Sequence, residues 1–312
     1  MLENLIYFDF NFNNNINNYV SINIQGGLGN QLFQIGTAYA YSIKNKKKLI
    51  FKYSNKVYNS DNLKIKSFWS TLFNNKLNVL NNNEYYNKFN NNEKKIYNYN
   101  EKSYDNNNIL LLGPFQSFKY LENEKSTRNF LRHLVYSSEN LIYETYELYN
   151  KIKKYFTNIN NIECEDDDIV SMHFRRTDYN NYQNILDINY YINALKIVNR
   201  NNIVIFSDDI EWCKKNINNK VLDNEKVNIY FIDINNVELE FLLMSFIKHN
   251  IIANSRFSLM ASYISYYESK KIIVAPKNWL SEIQIKSYDK EIIKSYDKEI
   301  EEIYHNDITN II

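Results

Sequence analysis

The stretch DIVSMHFRRTDY, residues 168 to 179, passes directly from apolar residues into a charged turn. Its apolar half lacks polar alternation, which is typical of a strand buried on both faces of a parallel sheet. The carboxyl end of this predicted strand carries His173, Arg175, Arg176 and Asp178. Because ligands of open α/β sheets bind at that edge, the stretch predicts both a fold and a site.

Four more short apolar runs follow along the chain, and each is separated from the next by a helical pattern. The predicted strands are NIVIFS (202–207), VNIYFID (227–233), NIIANS (250–255) and KIIVAP (271–276). The predicted helices start at Ile188, Asp208, Val237 and Ser258. This alternation predicts a parallel sheet with right-handed crossovers, as in a Rossmann-like layer.

The first half of the chain begins in the same way. YVSINI (19–24) alternates like a strand, and KKKLIFKY (46–53) predicts a second one. Between them, one apolar stripe of a helix is formed by Leu32, Ile35, Tyr39 and Ile43. The sequence therefore predicts an α/β protein with two Rossmann-like domains that face a central cleft.

The predicted domain organisation has four parts: an Asn-rich tail (1–18), an N-terminal α/β domain (19–160), a Rossmann-like domain (161–280), and a polar helix or tail (281–312). The last part contains a perfect tandem octapeptide, IKSYDKEI, at residues 285–300. The Asn-rich runs 11–18, 81–95 and 105–108 predict surface loops, because they contain little apolar area to offset chain entropy.

Composition excludes several classes of function. Lysine and arginine total 37 against 36 acidic residues, so no overall field would recruit nucleic acid or an anionic membrane. Cys164 and Cys213 have no metal-ligand spacing. The N-terminus lacks the pattern of a signal peptide, and no window approaches a membrane span, so we expect a soluble, cytoplasmic protein.

The paired arginines carry the chemical prediction. Two guanidinium forks suit a diphosphate, because each can bond bidentately and together they neutralise charge that would otherwise call for a metal ion. The alternative is an Arg–Asp ion-pair network that only ties loops together. SDD (207–209) similarly has two interpretations, a metal-binding carboxylate pair or an N-cap of the helix that follows.

A glycine turn links the first strand and helix. Three of the five glycines of the chain, Gly26, Gly27 and Gly29, fall within four positions and are followed by Asn30 and Gln31. Glycine there permits positive φ and close approach of a ligand to the main chain. A dinucleotide fingerprint would need one more glycine, where Leu32 stands, so an NAD-dependent enzyme is disfavoured.

Four blocks taken together, GGLGNQLFQ, HFRRTD, FSDDIEWCK and LMSFIKHNIIANSRFSLMASY, resemble the α-1,2-fucosyltransferases of glycosyltransferase family 11. These are relatives of the α-1,6- and protein O-fucosyltransferases. The resemblance implies a GT-B type fold, GDP-β-L-fucose as donor, a glycan acceptor, inversion at the anomeric carbon, and no metal ion or other cofactor.

The resemblance also implies roles for individual residues. Arg175 and Arg176 would hold the β-phosphate, His173 would contact the nucleotide, and Glu240 would pair with guanine. The start of the last predicted helix would lie under the phosphates through Ser255, Phe257 and Ser258. The glycine turn with Asn30 and Gln31 would face the sugar and the acceptor.

Two departures from the family pattern allow alternative interpretations. The family pattern has a second serine and a Trp pair where this chain has Arg256, Leu259 and Met260, so a non-catalytic descendant that still binds the nucleotide is the alternative. Some relatives carry a glutamate where Gln183 stands, which leaves Asp178 as candidate general base or as a residue that orients the arginines.

Overall fold

The computed structural model describes residues 18–54, 56–58, 64–73, 76–89, 94–96, 108–113, 115, 117–121, 124–177, 184–279, 304–305 and 307–312. Asp178, Gln183, the octapeptide repeat and nearly all of the N-terminal tail lie outside these ranges. The chain forms two compact units, Met1–Glu139 and Asn140–Ile312. The boundary expected at residue 160 is the end of a helix, Glu139–Asn160, which the structure groups with the second unit.

The first unit is built on a small parallel sheet. Its strands are β1 (Tyr19–Ile22), β2 (Lys48–Leu49), β3 (Phe51–Lys52), β4 (Lys56–Tyr58), β5 (Lys64–Lys66), β6 (Val79–Leu80), β7 (Lys94–Ile96) and β8 (Ile109–Leu111). Its helices are α1 (Leu28–Lys44), α2 (Asn82–Phe89) and α3 (Glu124–Val135). The main sheet has the order β2-β1-β8-β7, and all of its pairs are parallel. β3 pairs with β6 and β4 with β5 in separate two-stranded sheets.

Helix α1 follows the glycine turn and is buried along most of its length. Leu32, Ile35 and Tyr39 lie in the core as predicted, whereas Ile43, in the last turn, is exposed. Lys44 ends the helix, where a cation suits the helix dipole.

The loop predicted over residues 81–95 is wrong, because the structure forms helix α2 there. A reciprocal capping box starts the helix: Asn81 Oδ1 accepts from the Glu84 N–H at 3.0 Å, and a Glu84 carboxylate oxygen accepts from the Asn81 N–H at 3.2 Å. Tyr85 and Phe89, four residues apart, stack at 4.6 Å and pack with Ile50. Two aromatic residues on one face supply the apolar area that asparagine does not.

The second unit is a larger α/β layer. Its helices are α4 (Glu139–Asn160), α5 (Ile188–Val198), α6 (Ile210–Asn216), α7 (Val237–Phe246) and α8 (Arg256–Tyr263). Its strands are β9 (Ile169–Phe174), β10 (Asn202–Ser207), β11 (Asn228–Phe231), β12 (His249–Ile251), β13 (Ile273–Ala275) and β14 (Asn310–Ile311). The five predicted strands and four predicted helices are confirmed, with ends shifted by a few residues.

The sheet of the second unit has the order β11-β10-β9-β12-β13-β14, and all of its pairs are parallel. Numbered along the chain, this is the order 3-2-1-4-5-6 of a doubly wound Rossmann sheet. The order reverses between β9 and β12, so the crevice for a ligand opens at the carboxyl ends of these two strands. The α/β prediction is confirmed for each unit.

Strand β14 was not predicted, since the sequence indicated a polar helix or tail over residues 281–312. Residues 310 and 311 instead pair in parallel with β13. Nearby, the buried Lys271 ammonium lies 2.6 Å from an Asp307 carboxylate oxygen, and His305 Nε2 lies 3.3 Å from Ser262 Oγ. The helices of the described ranges include none that combines the length and apolarity needed to cross a bilayer.

Candidate functional site

The paired arginines and the two aspartates meet because their strands are neighbours. β9 and β10 pair in parallel, with Phe174 opposite Ser207. The residues after these two positions therefore lie side by side at the carboxyl edge of the sheet. This places Arg175 and Arg176 next to Asp208 and Asp209.

The Asp208 carboxylate accepts hydrogen bonds from the turn that follows β9. Its carboxylate accepts from the Arg176 N–H at 2.8 Å, and from the Thr177 N–H and hydroxyl at 3.1 and 2.6 Å. Arg175 Nη1 lies 3.2 Å from the same group. Burial opposes ionisation, but the Arg175 charge and these hydrogen bonds outweigh it and lower the pKa of Asp208. Asp208 thus fixes the shape of residues 175–177, which we call the arginine turn.

Arg176 has a different environment. Its guanidinium carbon lies 3.3 Å from the centre of a Trp212 ring, and its Nε lies 3.5 Å from an Asp209 oxygen. Asp209 also caps α6 by accepting from the Trp212 N–H at 3.3 Å, which confirms the capping interpretation for this residue. Among the described residues, no other carboxylate contacts the two Nη groups of Arg176. The ion-pair network considered as an alternative therefore exists, and it leaves donors for an anion.

His173 is buried at the end of β9. Its Nδ1 has no hydrogen-bond partner among the residues described, and its ring centre lies 5.7 Å from that of Phe257. Burial lowers the pKa of His173 well below its ordinary value, with Arg175 acting in the same direction and Asp208 against it. The imidazole is therefore neutral at pH 7. A neutral ring with an unused nitrogen can donate to a ligand or accept from one.

Helix α8 begins at the carboxyl end of β12. The Ser255 hydroxyl caps it by accepting from the Phe257 N–H at 3.3 Å. Ser258 is fully buried, and its hydroxyl donates to the Ser255 carbonyl at 3.2 Å. The Ser258 hydroxyl therefore stabilises the start of the helix. The Phe257 N–H, which was expected to lie under the phosphates, already donates to the Ser255 hydroxyl.

Glu240 lies in the first turn of α7 and is half-buried. Burial, reinforced by the charge of Asp233, raises the pKa of Glu240 to about 7. Such a carboxyl group changes its charge near neutral pH, and hydrogen bonds donated by a ligand would stabilise its ionised form.

The glycine turn of the first unit has two distinct positions. Gly26 has a φ of +77°, and its N–H donates to the Tyr58 carbonyl at 2.8 Å. Gly27, the N-cap of α1, is exposed and has open space around it. Asn30 is half-buried against Gly26, with Nδ2 2.3 Å from where a Cβ of residue 26 would be.

Gln31 does not face outward from the turn. It is fully buried, and its amide donates to the carbonyls of Gly26 and Lys66 at 2.9 and 3.1 Å. The side chain was predicted to face the sugar and acceptor, but these bonds direct it into the unit, where it holds the turn against β5.

Asp208 and Trp212 contact the paired arginines, and these contacts were not predicted from the sequence. Both lie in the block FSDDIEWCK, and the neighbouring ends of two predicted parallel strands were a signal that could have identified Asp208. Trp212 follows the cap Asp209 by three residues, which places it over the same helix end. The prediction for Asp178 stays untested, since that residue is outside the described ranges.

The strand order of the second unit defines it as a Rossmann-like α/β unit, and its candidate site consists of polar side chains at the switch point of the sheet. The family model of glycosyl transferase family 11 matches residues 63–298. The chain belongs to glycosyltransferase family 11, and the protein is a glycosyltransferase.

This chain is similar to several known proteins. The chain is 29% identical over 294 residues to an alpha-1,2-colitosyltransferase of Escherichia coli, a match that covers 85% of this chain and 94% of the relative. Among solved structures, it is similar to the NodZ alpha-1,6-fucosyltransferase, with 11% identity, a TM-score of 0.44, and 79% and 92% of the two chains covered. The corresponding values for POFUT1 in complex with GDP are 10%, 0.48, 83% and 98%.

Proposed function

We propose that this protein transfers L-fucose from GDP-β-L-fucose to a glycan, at the 2-hydroxyl of a terminal galactose. Membership of family 11 supports the reaction class, and the four sequence blocks support the donor. A relative named for an α-1,2 linkage supports the position of attack. The observation that carries the proposal is the arginine pair at the carboxyl end of β9, at the switch point of the sheet.

In the proposed reaction, Arg175 and Arg176 bind the diphosphate of the donor. The acceptor oxygen forms a bond to the anomeric carbon of fucose, and the bond from that carbon to the β-phosphate oxygen breaks. The electron pair of the broken bond goes to the departing GDP, where two guanidinium groups stabilise it. Neutral His173 offers Nδ1 to the nucleotide.

The acceptor hydroxyl must lose its proton during this displacement. Asp178 is the proposed base, since it follows the arginine turn directly and a carboxylate can take such a proton. Asp208 is a poor candidate, because its oxygens already accept from Arg175, Arg176 and Thr177.

Glu240 is the proposed partner of guanine. The base carries adjacent N1–H and N2–H donors, which match the two oxygens of an ionised carboxylate. This contact would select GDP over nucleotides whose base lacks the donor pair.

Colitose is the second candidate for the transferred sugar, because one relative is named a colitosyltransferase. Colitose differs from L-fucose by the absence of the 3-hydroxyl. GDP-colitose and GDP-fucose therefore differ only in the sugar, and they share the diphosphate and the base. The arginine site alone would not distinguish them.

The decisive experiment offers purified protein GDP-fucose, GDP-colitose and GDP-mannose with galactose-terminated oligosaccharides, with and without EDTA. We expect transfer from GDP-fucose that EDTA does not abolish, and an α-1,2 linkage in the NMR spectrum of the product. Faster transfer from GDP-colitose would reassign the donor. GDP binding without turnover on any acceptor would favour the non-catalytic alternative, and binding of no GDP-sugar would overturn the proposal.

A further inference from the structure

Arg256 is the first residue of α8 and precedes Phe257, whose ring lies beside that of His173. Its side chain is half-buried, and its Nε is buried without a hydrogen-bond partner among the residues described. The guanidinium carbon lies 5.5 Å from the centre of the Trp279 ring, near the outer limit for a cation–π contact. A buried donor without an acceptor is costly, which indicates that an acceptor is missing.

Other arginines of the second unit have carboxylate partners. Arg175 lies against Asp208, and Arg176 against Asp209. At the opposite edge of the sheet, Arg200 lies 2.5 Å from an oxygen of Asp167. No carboxylate in the described part of the chain pairs with Arg256.

The position of Arg256 is also electrostatically unfavourable in the absence of an anion. The N-terminus of a helix is the positive end of its dipole, where anions are favoured and cations are not. α8 begins at the carboxyl end of β12, which is one side of the switch point. A cation held in such a place, with a buried and unbonded N–H, is suited to an anionic ligand that enters the crevice.

The charges around the crevice lead to the same conclusion. Asp208 and Asp209 offset the charges of Arg175 and Arg176, and His173 is neutral. These groups alone present no excess positive charge to a diphosphate. Arg256 supplies it.

We propose that Arg256 binds the diphosphate of the sugar nucleotide as a third guanidinium group and sets the affinity for the donor. The inference rests on the proposed function and extends it to a residue that the family pattern does not provide. Its planar fork allows two parallel hydrogen bonds to phosphate oxygens, which a lysine ammonium would not reproduce.

The test measures binding of GDP and of guanosine by calorimetry to the parent protein, Arg256→Gln and Arg256→Lys. Lys196→Gln is the control for loss of one positive charge, because Lys196 is exposed and pairs with Asp223 on the surface. We expect Arg256→Gln to weaken GDP binding about tenfold or more, with guanosine binding and the control unchanged. Arg256→Lys should recover part of the loss.

Thermal unfolding of the ligand-free proteins separates binding from structure. If Arg256 serves a ligand, Arg256→Gln keeps or raises the Tm, because an unfavourable cation is removed. A lower Tm with equal loss of GDP and guanosine binding would make the residue structural and overturn the inference. GDP binding within twofold of the parent would overturn the inference alone. A parent protein that binds no GDP would overturn the proposed function as well.

Discussion

At the scale of single residues, Asp208 organises the site without being free to act on substrate. It accepts from two main-chain N–H groups and a hydroxyl in the turn after β9, and it lies against Arg175. This contact orients Arg175 in the absence of a ligand. Under the proposed function, little side-chain entropy would therefore be lost when the guanidinium binds a diphosphate.

Trp212 holds Arg176 by stacking, and its removal should appear in donor binding. We expect Trp212→Leu to raise KM for GDP-fucose about tenfold with a smaller change in kcat, because the guanidinium loses the face on which it lies. Trp212→Phe keeps an aromatic face and should stay within about threefold of the parent. Steady-state kinetics with donor as the varied substrate measures both. Equal KM values for the Leu and Phe variants would show that the ring does not support Arg176.

Glu240 should make binding of GDP depend on pH. Its pKa is raised to about 7, so the carboxyl group is mostly protonated below that pH and ionised above it. Only the ionised form accepts from both guanine donors, so GDP affinity should rise between about pH 6 and pH 8 and then level off. Calorimetry across this range provides the measurement. Glu240→Gln should flatten the profile, and a parent profile that is already flat would separate Glu240 from the base.

The positions of the arginines were predictable from the sequence, while several partners were not. A charged run after an apolar strand must emerge at the carboxyl edge, which fixed Arg175 and Arg176 there. The sequence does not distinguish the functions of two adjacent aspartates. The register of β10 with β9 places Asp208 beside the turn after β9, where it accepts hydrogen bonds, whereas Asp209 caps α6. The direction of Gln31 depends on carbonyls of β5 and the glycine turn, which only the folded unit brings together.

At the scale of elements, continuous apolar runs predicted the strands of the second unit because a doubly wound sheet buries both faces. Strand β14 is two residues long, which is too short to show an apolar run, and it is recognised only by its pairing with β13. Helix α4 was not predicted, although Ile142, Tyr149, Ile152 and Phe156 repeat at helical spacing and are buried. Asparagine content concealed α2, whose two buried aromatic residues were the available signal.

The glycine turn provides a matched pair of variants. Gly26→Ala should destabilise the protein by about 1–2 kcal/mol or more, because φ is +77° and the new Cβ would contact Asn30. Gly27→Ala meets open space at a φ of −67° and should cost at most about 1 kcal/mol, the loss at an N-cap. Urea unfolding measures both.

Activity of the same pair tests the functional part of the prediction. If a ligand approaches the main chain of the turn, Gly27→Ala should lower kcat/KM despite its near-normal stability. Full activity of Gly27→Ala would limit the turn to a structural role.

At the scale of the whole molecule, the near balance of charge means that any affinity for an anionic donor must arise locally. Under the proposed function, this affinity comes from the switch point of the second unit. The residues there are a neutral His173, Arg175 and Arg176 with their aspartate partners, and Arg256, whose Nε has no hydrogen-bond partner in the described part of the chain. Membership of family 11 shows that the protein is a glycosyltransferase, and in the proposed reaction these residues would stabilise the leaving diphosphate.

The most direct measurement is the initial rate of GDP release from GDP-fucose, with a galactose-terminated acceptor, for the parent, Arg175→Gln and Arg176→Gln. Lys215→Gln, an exposed position on α6, serves as the charge control. We predict that kcat/KM falls about 100-fold or more in each arginine variant and is unchanged in the control. Rates within about threefold of the parent in both arginine variants would contradict the account, because the diphosphate would then be stabilised elsewhere.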